Sequence, residues 1–246
     1  MKEKIEKKLF DNNARFSNVL GADYNLRSLS MSYHEKFQDI IKNSLKRFAE
    51  ENQEAYELNV LEAGCGTGIT TIRVLEADPR IKVIAVDNEE KTIKQAQQAL
   101  KDFENRIDFR QGDILAVLKN IEDASIDAFA SALTIHNFPD DYRKKVFHEV
   151  SRVLKTKGLF INADKYAMDD PEAHSKSLQE QINSFDIYDT IGRSDIKKAW
   201  TEHYKQDEYT KITEKEQIKM LEDLGFENIK VVFRESMEAV IKANKK

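Results

Sequence analysis

The chain has 246 residues, with 39 lysines and arginines, 44 aspartates and glutamates, and 40% hydrophobic residues. This composition is that of a globular protein and excludes a purely disordered chain. A folded domain of this length buries about 70–75% of the surface of its unfolded chain, which is enough for a large core. The formal net charge of −5 gives no overall basic field for nonspecific nucleic-acid binding. No apolar run reaches the ~18 residues of a membrane span, so no membrane partner is expected. A single cysteine, Cys65, and the lack of a secretory leader indicate a cytoplasmic protein.

Strand-like apolar runs alternate with helix-like spacing along most of the chain. Residues 1–54 predict an N-terminal helical cap, because apolar residues recur there at steps of three and four. Five short strands are predicted next, at 58–62, 82–86, 107–110, 126–130 and 159–163, each followed by a helical pattern. This alternation predicts an α/β fold with parallel strands, whose ligand site lies at the strands' carboxyl ends.

The chain is predicted to form a single domain, in which three parts follow the N-terminal cap. The core for cofactor binding spans 55–165, a helical insertion spans 166–210, and a closing helix and strands span 211–246. Gly225 is expected to end the closing helix with a left-handed cap. The lysine-rich tail, residues 242–246, is expected to fray.

Three of the eight glycines, Gly64, Gly66 and Gly68, lie between the first predicted strand and the next helix. Glycine at such a turn lets the backbone approach a ligand closely. The spacing is not that of the dinucleotide fingerprint, which needs glycine where this chain has Ile69. A tight turn without any ligand remains the alternative at this point.

Acidic residues follow the second and third strands. Asp87 ends the second strand, where a carboxylate can accept both hydroxyl hydrogen bonds of a ribose. After the third strand, Gly112 allows close approach, Asp113 can accept from an adenine amino group, and Ile114 can pack on the ring. The alternative for both aspartates is a helix N-cap.

The segments VLEAGCGTG, VIAVD, QGDI and VLKTKGLFI together resemble the class I S-adenosylmethionine-dependent methyltransferases, over residues 59–233. The resemblance implies a Rossmann-like, seven-stranded, mostly parallel sheet with helices on both faces and an antiparallel last strand beside the fifth. It also implies an N-terminal helical lid and a helical insertion after strand five. The segment RVLKTKG resembles the family's R-x-L-K-P-G-G turn, with Thr156 and Lys157 in place of proline and glycine.

The same resemblance implies S-adenosylmethionine as the cofactor and S-adenosylhomocysteine as its product. The family's glycine turn meets the methionine part, and its acidic residues hold the ribose and the adenine. The implied cofactor-binding residues here are Glu62, Gly64, Cys65, Gly66, Gly68, Asp87, Asn88, Gly112, Asp113, Ile114 and Ala132.

The acceptor is expected to face the end of the fourth strand, where His136 is the candidate general base. A histidine with a pKa near ~6.5 can take a proton near neutrality, although such a histidine can also orient the cofactor or pack in the core. The candidate substrate-binding residues are Tyr24, Arg27, Tyr33, Asn137, Lys165 and Trp200. No metal is expected, because His174 and His203 lack a cysteine or second histidine at ligand spacing.

Several functions remain open on the sequence. A small-molecule methyltransferase, a monomer or homodimer, is favoured by the acidic charge and the insertion. The order of FDNNARFSNVL, RSLSMSYHEKF, ADKY and IKKAWTEH also resembles carboxy-S-adenosylmethionine synthases, which serve tRNA modification; their insertion arginine corresponds loosely to Lys198. That replacement and the ordinary GCGTG turn favour plain methyl transfer. A nucleic-acid methyltransferase is not favoured, since Lys197, Lys198 and Lys205 form a thin basic patch, and a non-catalytic cofactor-binding protein is the last alternative.

Overall fold

A computed structural model of the chain describes residue 20, residues 23–31 and residues 33–246. One seven-stranded sheet runs through this part of the chain. Its strands are β1 Leu58–Ala63, β2 Ile81–Asp87, β3 Ile107–Gln111, β4 Ile126–Ala132, β5 Leu154–Lys165, β6 Phe226–Glu235 and β7 Glu238–Lys245. The spatial order is β3-β2-β1-β4-β5-β7-β6. Strands β1 to β5 pair in parallel, and β7 lies antiparallel between β5 and β6.

The sheet order confirms the predicted α/β fold, including the antiparallel last strand beside the fifth. Successive strands are added to one side of β1 up to β3 and to its other side from β4, so the strand order reverses between β1 and β4 although these two strands are parallel. In open α/β sheets, ligands bind at such a switch point, outside the carboxyl ends of the strands.

Helices connect the strands and precede the sheet. They are α1 His34–Glu51, α2 Ile69–Leu75, α3 Glu90–Ala99, α4 Ile114–Leu118, α5 Asp140–Val153, α6 Pro171–Ser184, α7 Ile187–Thr190, α8 Ser194–Asp207 and α9 Glu214–Asp223. Short 3₁₀ helices cover Tyr24–Leu29, Lys101–Arg106 and Ile135–Asn137. Among the helices described, none has the length and apolar character to cross a bilayer.

The apolar core lies on both faces of the sheet. Phe129 of β4 packs in one cluster with Phe147 and Phe160, while its neighbours Ala128 and Ala130 pack in the cluster on the other face. Parallel strands covered on both faces are expected to be apolar at successive positions, as these are. A third cluster holds the helices after β5 together around Phe185, Tyr188, Trp200 and Tyr204.

The expected fraying of residues 242–246 is wrong. Strand β7 continues to Lys245, and Ala243 within it is buried. The Lys245 Nζ donates to Ser151 Oγ at 2.6 Å and to the Leu224 carbonyl at 3.1 Å. The polar residues Lys242, Asn244 and Lys245 concealed a strand in which Ala243 alone of the tail is buried.

Candidate functional site

The glycine turn joins β1 to α2, and all three of its glycines have positive φ: +73° at Gly64, +51° at Gly66 and +89° at Gly68. A Cβ at Gly64 would lie 2.0 Å from Thr134 Oγ1, and one at Gly68 would lie 2.8 Å from the Leu100 side chain. At Gly66 no atom lies within 4 Å of the added Cβ. Internal packing therefore requires glycine at two of the positions, whereas the third borders open space.

That open space is a cavity of about 430 Å³ at the carboxyl ends of β1 to β4. Its volume lies within the range of small-molecule and cofactor sites. It brings together most of the residues predicted for the cofactor, and Asn137 from the acceptor set. On its wall are Gly64, Cys65, Gly66, Asp87, Asn88, Gly112, Asp113, Ile114, Ala132 and Asn137.

Asp87 connects the end of β2 to the glycine turn. Its Oδ2 accepts the Gly66 N–H at 2.8 Å, and its Oδ1 accepts the Glu89 N–H at 2.9 Å. Burial raises the pKa of this carboxyl, and the two backbone donors oppose that shift. Each carboxylate oxygen has a second lone pair, so the carboxylate on the cavity wall can still accept from a ligand.

Asp113 is both a helix cap and part of the cavity wall. Its Oδ1 accepts the Ala116 N–H at 2.9 Å at the start of α4, and Tyr142 donates its hydroxyl to Oδ2. Asp113 can therefore cap α4 and contact a ligand in the cavity at the same time.

Two predicted cofactor residues, Glu62 and Gly68, lie off the cavity wall. Gly68 packs against Leu100 and Ala96 near the end of α3. Glu62 is fully buried in β1, and desolvation raises its pKa to about 7. The Thr71 hydroxyl opposes that shift only in part, since no hydrogen bond of normal geometry joins the two side chains.

Sequence reasoning missed two cavity residues on α1, His34 and Gln38. They are one helical turn apart, 5% and 2% exposed, and both line the cavity. His34 Nδ1, Gln38 Oε1 and Asn137 Oδ1 are buried without a hydrogen-bond partner within the described part of the chain. Leaving such atoms unpaired costs free energy, so this end of the cavity suits a polar ligand. The sequence did carry a signal for them: His34 and Gln38 are four residues apart, so both lie on one face of α1 beside its apolar residues.

A second, much smaller cavity of about 10 Å³ gathers most of the predicted acceptor residues. It is lined by Arg27, Leu133, His136, Lys165, Trp200, His203 and Tyr204. Leu133 lines both cavities, so they are neighbours. Tyr33 lies elsewhere, with its ring 5.4 Å from that of Phe233. Tyr24 begins a 3₁₀ helix, and its side chain lies outside the described part of the structure.

His136 is held in this small cavity by a carboxylate. Its backbone N–H donates to Asp164 Oδ2 at 3.0 Å, and its Nδ1 lies 2.5 Å from Asp164 Oδ1. Asp164 thereby favours the tautomer with the proton on Nδ1. The other nitrogen, Nε2, lies 3.6 Å from Asp207 Oδ2. The side chain is only 7% exposed and is not on the wall of the larger cavity.

The fold and the larger cavity define a doubly wound α/β protein with a cofactor-sized site at the switch point of its sheet. Residues 54–232 match a family described as "Methyltransferase domain". The chain belongs to this family, the class I S-adenosylmethionine-dependent methyltransferases, as the sequence motifs indicated.

Known proteins extend the similarity beyond the matched region. A carboxy-S-adenosyl-L-methionine synthase of Nautilia profundicola is 20% identical over 235 residues, covering 95% of each chain. The structure of the DszA carbon methyltransferase gives a TM-score of 0.66 at 16% identity, covering 94% of this chain and 60% of that one. A putative S-adenosylmethionine-dependent methyltransferase of Methanococcus maripaludis gives 0.56 at 18% identity, covering 92% and 90%.

Proposed function

We propose that this enzyme transfers the methyl group of S-adenosylmethionine to a small-molecule acceptor in the cytoplasm. The observation that carries the proposal is the juxtaposition of two cavities. Gly66, Asp87 and Asp113 lie on the wall of the larger one, and His136 lies in the smaller one across Leu133.

The larger cavity suits the cofactor, which when bound supplies a methyl group on a sulfonium centre. Gly66 leaves open space in which the methionine part would lie, and Asp87 would accept hydrogen bonds from the ribose hydroxyls. Asp113 and Ile114, which line the same cavity, would hold the adenine. His34 and Gln38 each add a buried polar atom without a hydrogen-bond partner in the described part of the chain, and these atoms would be available to the cofactor.

The smaller cavity marks the acceptor side. His136 acts there as the general base through Nε2. Asp164 is its positioning residue, because it accepts the hydrogen bond from Nδ1 and so holds the orientation of the ring. Arg27, Lys165 and Trp200 enclose the same space, which has room for about one water-sized sphere, so an acceptor would reach it with a single polar atom. Asn137, also a candidate acceptor-binding residue, lies on the wall of the larger cavity, so the acceptor would contact both cavities. Methyl transfer is an in-line displacement, so alignment of the acceptor is the main contribution that these residues make.

A second candidate is synthesis of a carboxylated sulfonium. The observation in its favour is the synthase similarity over 95% of both chains. Native mass spectrometry of the isolated protein distinguishes the two. The mass of S-adenosylmethionine or S-adenosylhomocysteine supports the main proposal, whereas that of a carboxylated derivative supports the second.

Turnover and cofactor binding test the role of His136 separately. We expect His136→Ala to lower the rate of S-adenosylhomocysteine formation by at least about 100-fold, while cofactor affinity in calorimetry changes by less than about threefold. His148→Ala is the matched control, because the His148 side chain is 72% exposed on α5. Equal losses of rate and affinity would make His136 a cofactor contact instead.

A further inference from the structure

We infer that His136, His203 and Asp207 form a binding site for one divalent transition-metal ion. One ligand atom from each of these side chains lies within 4.8 Å of the other two, and all three residues are buried. His136 comes from the 3₁₀ helix after β4, whereas His203 and Asp207 are one turn apart on α8. The sequence did not predict a metal because only the tertiary fold brings the two histidines together.

The distances within the cluster suit a shared ion better than direct hydrogen bonds. His136 Nε2 lies 3.6 Å from Asp207 Oδ2, and His203 Nε2 lies 3.6 Å from Asp207 Oδ1. Good nitrogen–oxygen hydrogen bonds are about 2.7–3.2 Å long. Two ligand atoms at ~2.1 Å from a tetrahedral ion are about 3.4 Å apart, which is close to each separation. Because the two histidines approach different oxygens of Asp207, an ion between them would contact both oxygens of that carboxylate.

Neighbouring side chains orient the ligands in the way that metal sites require. Asp164 binds His136 Nδ1, which turns Nε2 towards the cluster. Lys165 donates from Nζ to Asp207 Oδ2, so that carboxylate is itself held in place. The lysine ammonium is also a competing cation, and its removal should strengthen metal binding.

Size favours a single small occupant, and two buried carboxyl groups, Asp164 and Asp207, lie directly beside the imidazole of His136. The adjoining cavity of about 10 Å³ holds roughly one water-sized sphere. This volume suits one ion or water rather than an organic molecule.

Two imidazoles and one carboxylate are ligands that Zn²⁺, Fe²⁺ and Co²⁺ accept, with an open position left for an exogenous oxygen. The catalytic role of the site rests on the proposed function: when the ion is bound, it would polarise an acceptor oxygen, and His136 would contribute as a metal ligand through Nε2 instead of as a general base. Metal binding itself does not depend on methyl transfer.

Titration of the metal-free full-length protein with Co²⁺, followed by visible absorption and reversed by Zn²⁺, tests the site directly. We expect one equivalent per chain in the wild type and loss of that equivalent in His203→Gln and Asp207→Asn. His148→Gln should bind as the wild type does. Lys165→Met should bind at least about tenfold more tightly, because a like charge beside the ion is removed.

Circular dichroism and S-adenosylmethionine affinity of each variant establish that it is folded. Absence of a stoichiometric Co²⁺ equivalent in the folded wild type would overturn the inference, as would unchanged binding in folded His203→Gln. Methyl transfer by metal-free protein with unchanged rate would leave the proposed function standing and remove the catalytic role of the ion. Stoichiometric metal binding without any S-adenosylhomocysteine formation would support the site and contradict the proposed function.

Discussion

At the glycine turn, three residues with the same left-handed backbone have different structural reasons to be glycine. Gly64 and Gly68 are surrounded by Thr134 and Leu100, whereas Gly66 borders the cavity. A side chain at Gly66 would therefore clash with a ligand and not with the protein.

Gly66→Val should abolish detectable S-adenosylmethionine binding in titration calorimetry while the protein stays folded. Its backbone cost is about 1–2 kcal/mol for a left-handed residue. Gly192→Val is the control, because Gly192 has a φ of +71° and also has no atom within 4 Å of an added Cβ. The control should suffer the same strain and bind normally; normal binding by Gly66→Val would contradict the turn's role.

Asp87→Ala should weaken S-adenosylmethionine binding by about 1–3 kcal/mol through loss of the ribose hydrogen bonds. Calorimetry measures the change, with Asp108→Ala as the control. Asp108 lies on the adjacent strand β3 and pairs with Arg110 at the surface, away from the cavity wall. Equal affinities in the two variants would show that Asp87 does not hold the ribose.

Glu62 predicts a pH dependence of stability in the protein without cofactor. Its folded pKa of about 7 lies above the unfolded value near 4.5 because burial disfavours the charged form. Its contribution is thus fully present below pH ~4.5 and is lost as pH rises through ~7, by up to about 3 kcal/mol.

Urea unfolding at several pH values tests this dependence. Between pH 4.5 and 8, the wild type should lose stability relative to Glu62→Gln, whose amide cannot ionise. Glu57→Gln, which alters a surface pair with Lys82, should follow the wild type. Parallel curves for wild type and Glu62→Gln would show that Glu62 does not ionise over this range.

Residues at strand ends were predictable because their positions follow from local sequence. Asp87 ends β2 and Asp113 comes two residues after β3, and parallel strands bring such ends to one edge of the sheet. His34 and Gln38 were missed because only the packing of α1 over the turn brings them to the cavity. The cluster of His136 with α8 was missed for the same reason.

At the scale of elements, the 3₁₀ helix Tyr24–Leu29 packs against the helices after β5 and is joined to them by hydrogen bonds and an ion pair. Tyr188 donates its hydroxyl to the Leu26 carbonyl at 3.1 Å and lies 2.8 Å from Ser30 Oγ. Arg193 pairs with Asp23 at 2.7 Å. The Arg27 guanidinium lies 4.7 Å from the Trp200 ring centre. These contacts fix Arg27 in the smaller cavity, so the two elements shape it together.

Tyr188→Phe should loosen this contact without creating a cavity. We expect a loss of about 1–2 kcal/mol in unfolding free energy, because the Leu26 carbonyl and the Ser30 hydroxyl lose a partly buried hydrogen-bond partner. Hydrogen exchange should rise in residues 23–31 more than in β1 or β4. Tyr209→Phe, with Tyr209 58% exposed, is the control, and equal exchange in both variants would contradict the contact.

Element types were easier to predict than element lengths. Strand five was predicted from Leu159 but begins at Leu154, and it passes through Lys157 with a φ of +65°. The motif that this segment resembles has glycine at that place, a residue that adopts positive φ readily, and this chain has a positive φ there with a lysine. A change of residue type at a turn therefore need not change the fold, although it costs local strain.

At the scale of the whole molecule, the sheet order followed from the alternation of strands and helices together with the family motifs. Short buried strands joined by helices allow few arrangements, because crossovers between parallel strands are right-handed. The antiparallel β7 was implied by the resemblance alone, since no local pattern specifies its insertion between β5 and β6. The large cavity arises where these long-range pairings place the ends of β1, β2, β3 and β4 side by side.

Because the cavity wall draws on the ends of four strands and on α1, a ligand bound there should stabilise the molecule as a whole. At a concentration 100 times its dissociation constant, a ligand of the native state adds about 2.7 kcal/mol. For a chain of this length, that raises the Tm by roughly 5–10 °C. Differential scanning fluorimetry with S-adenosylmethionine measures the shift, and Asp87→Ala at the same concentration should show a smaller one because it binds less. Adenosine should reproduce part of the shift, since it occupies only the ribose and adenine ends. A wild-type Tm that S-adenosylmethionine leaves unchanged would separate this cavity from the cofactor.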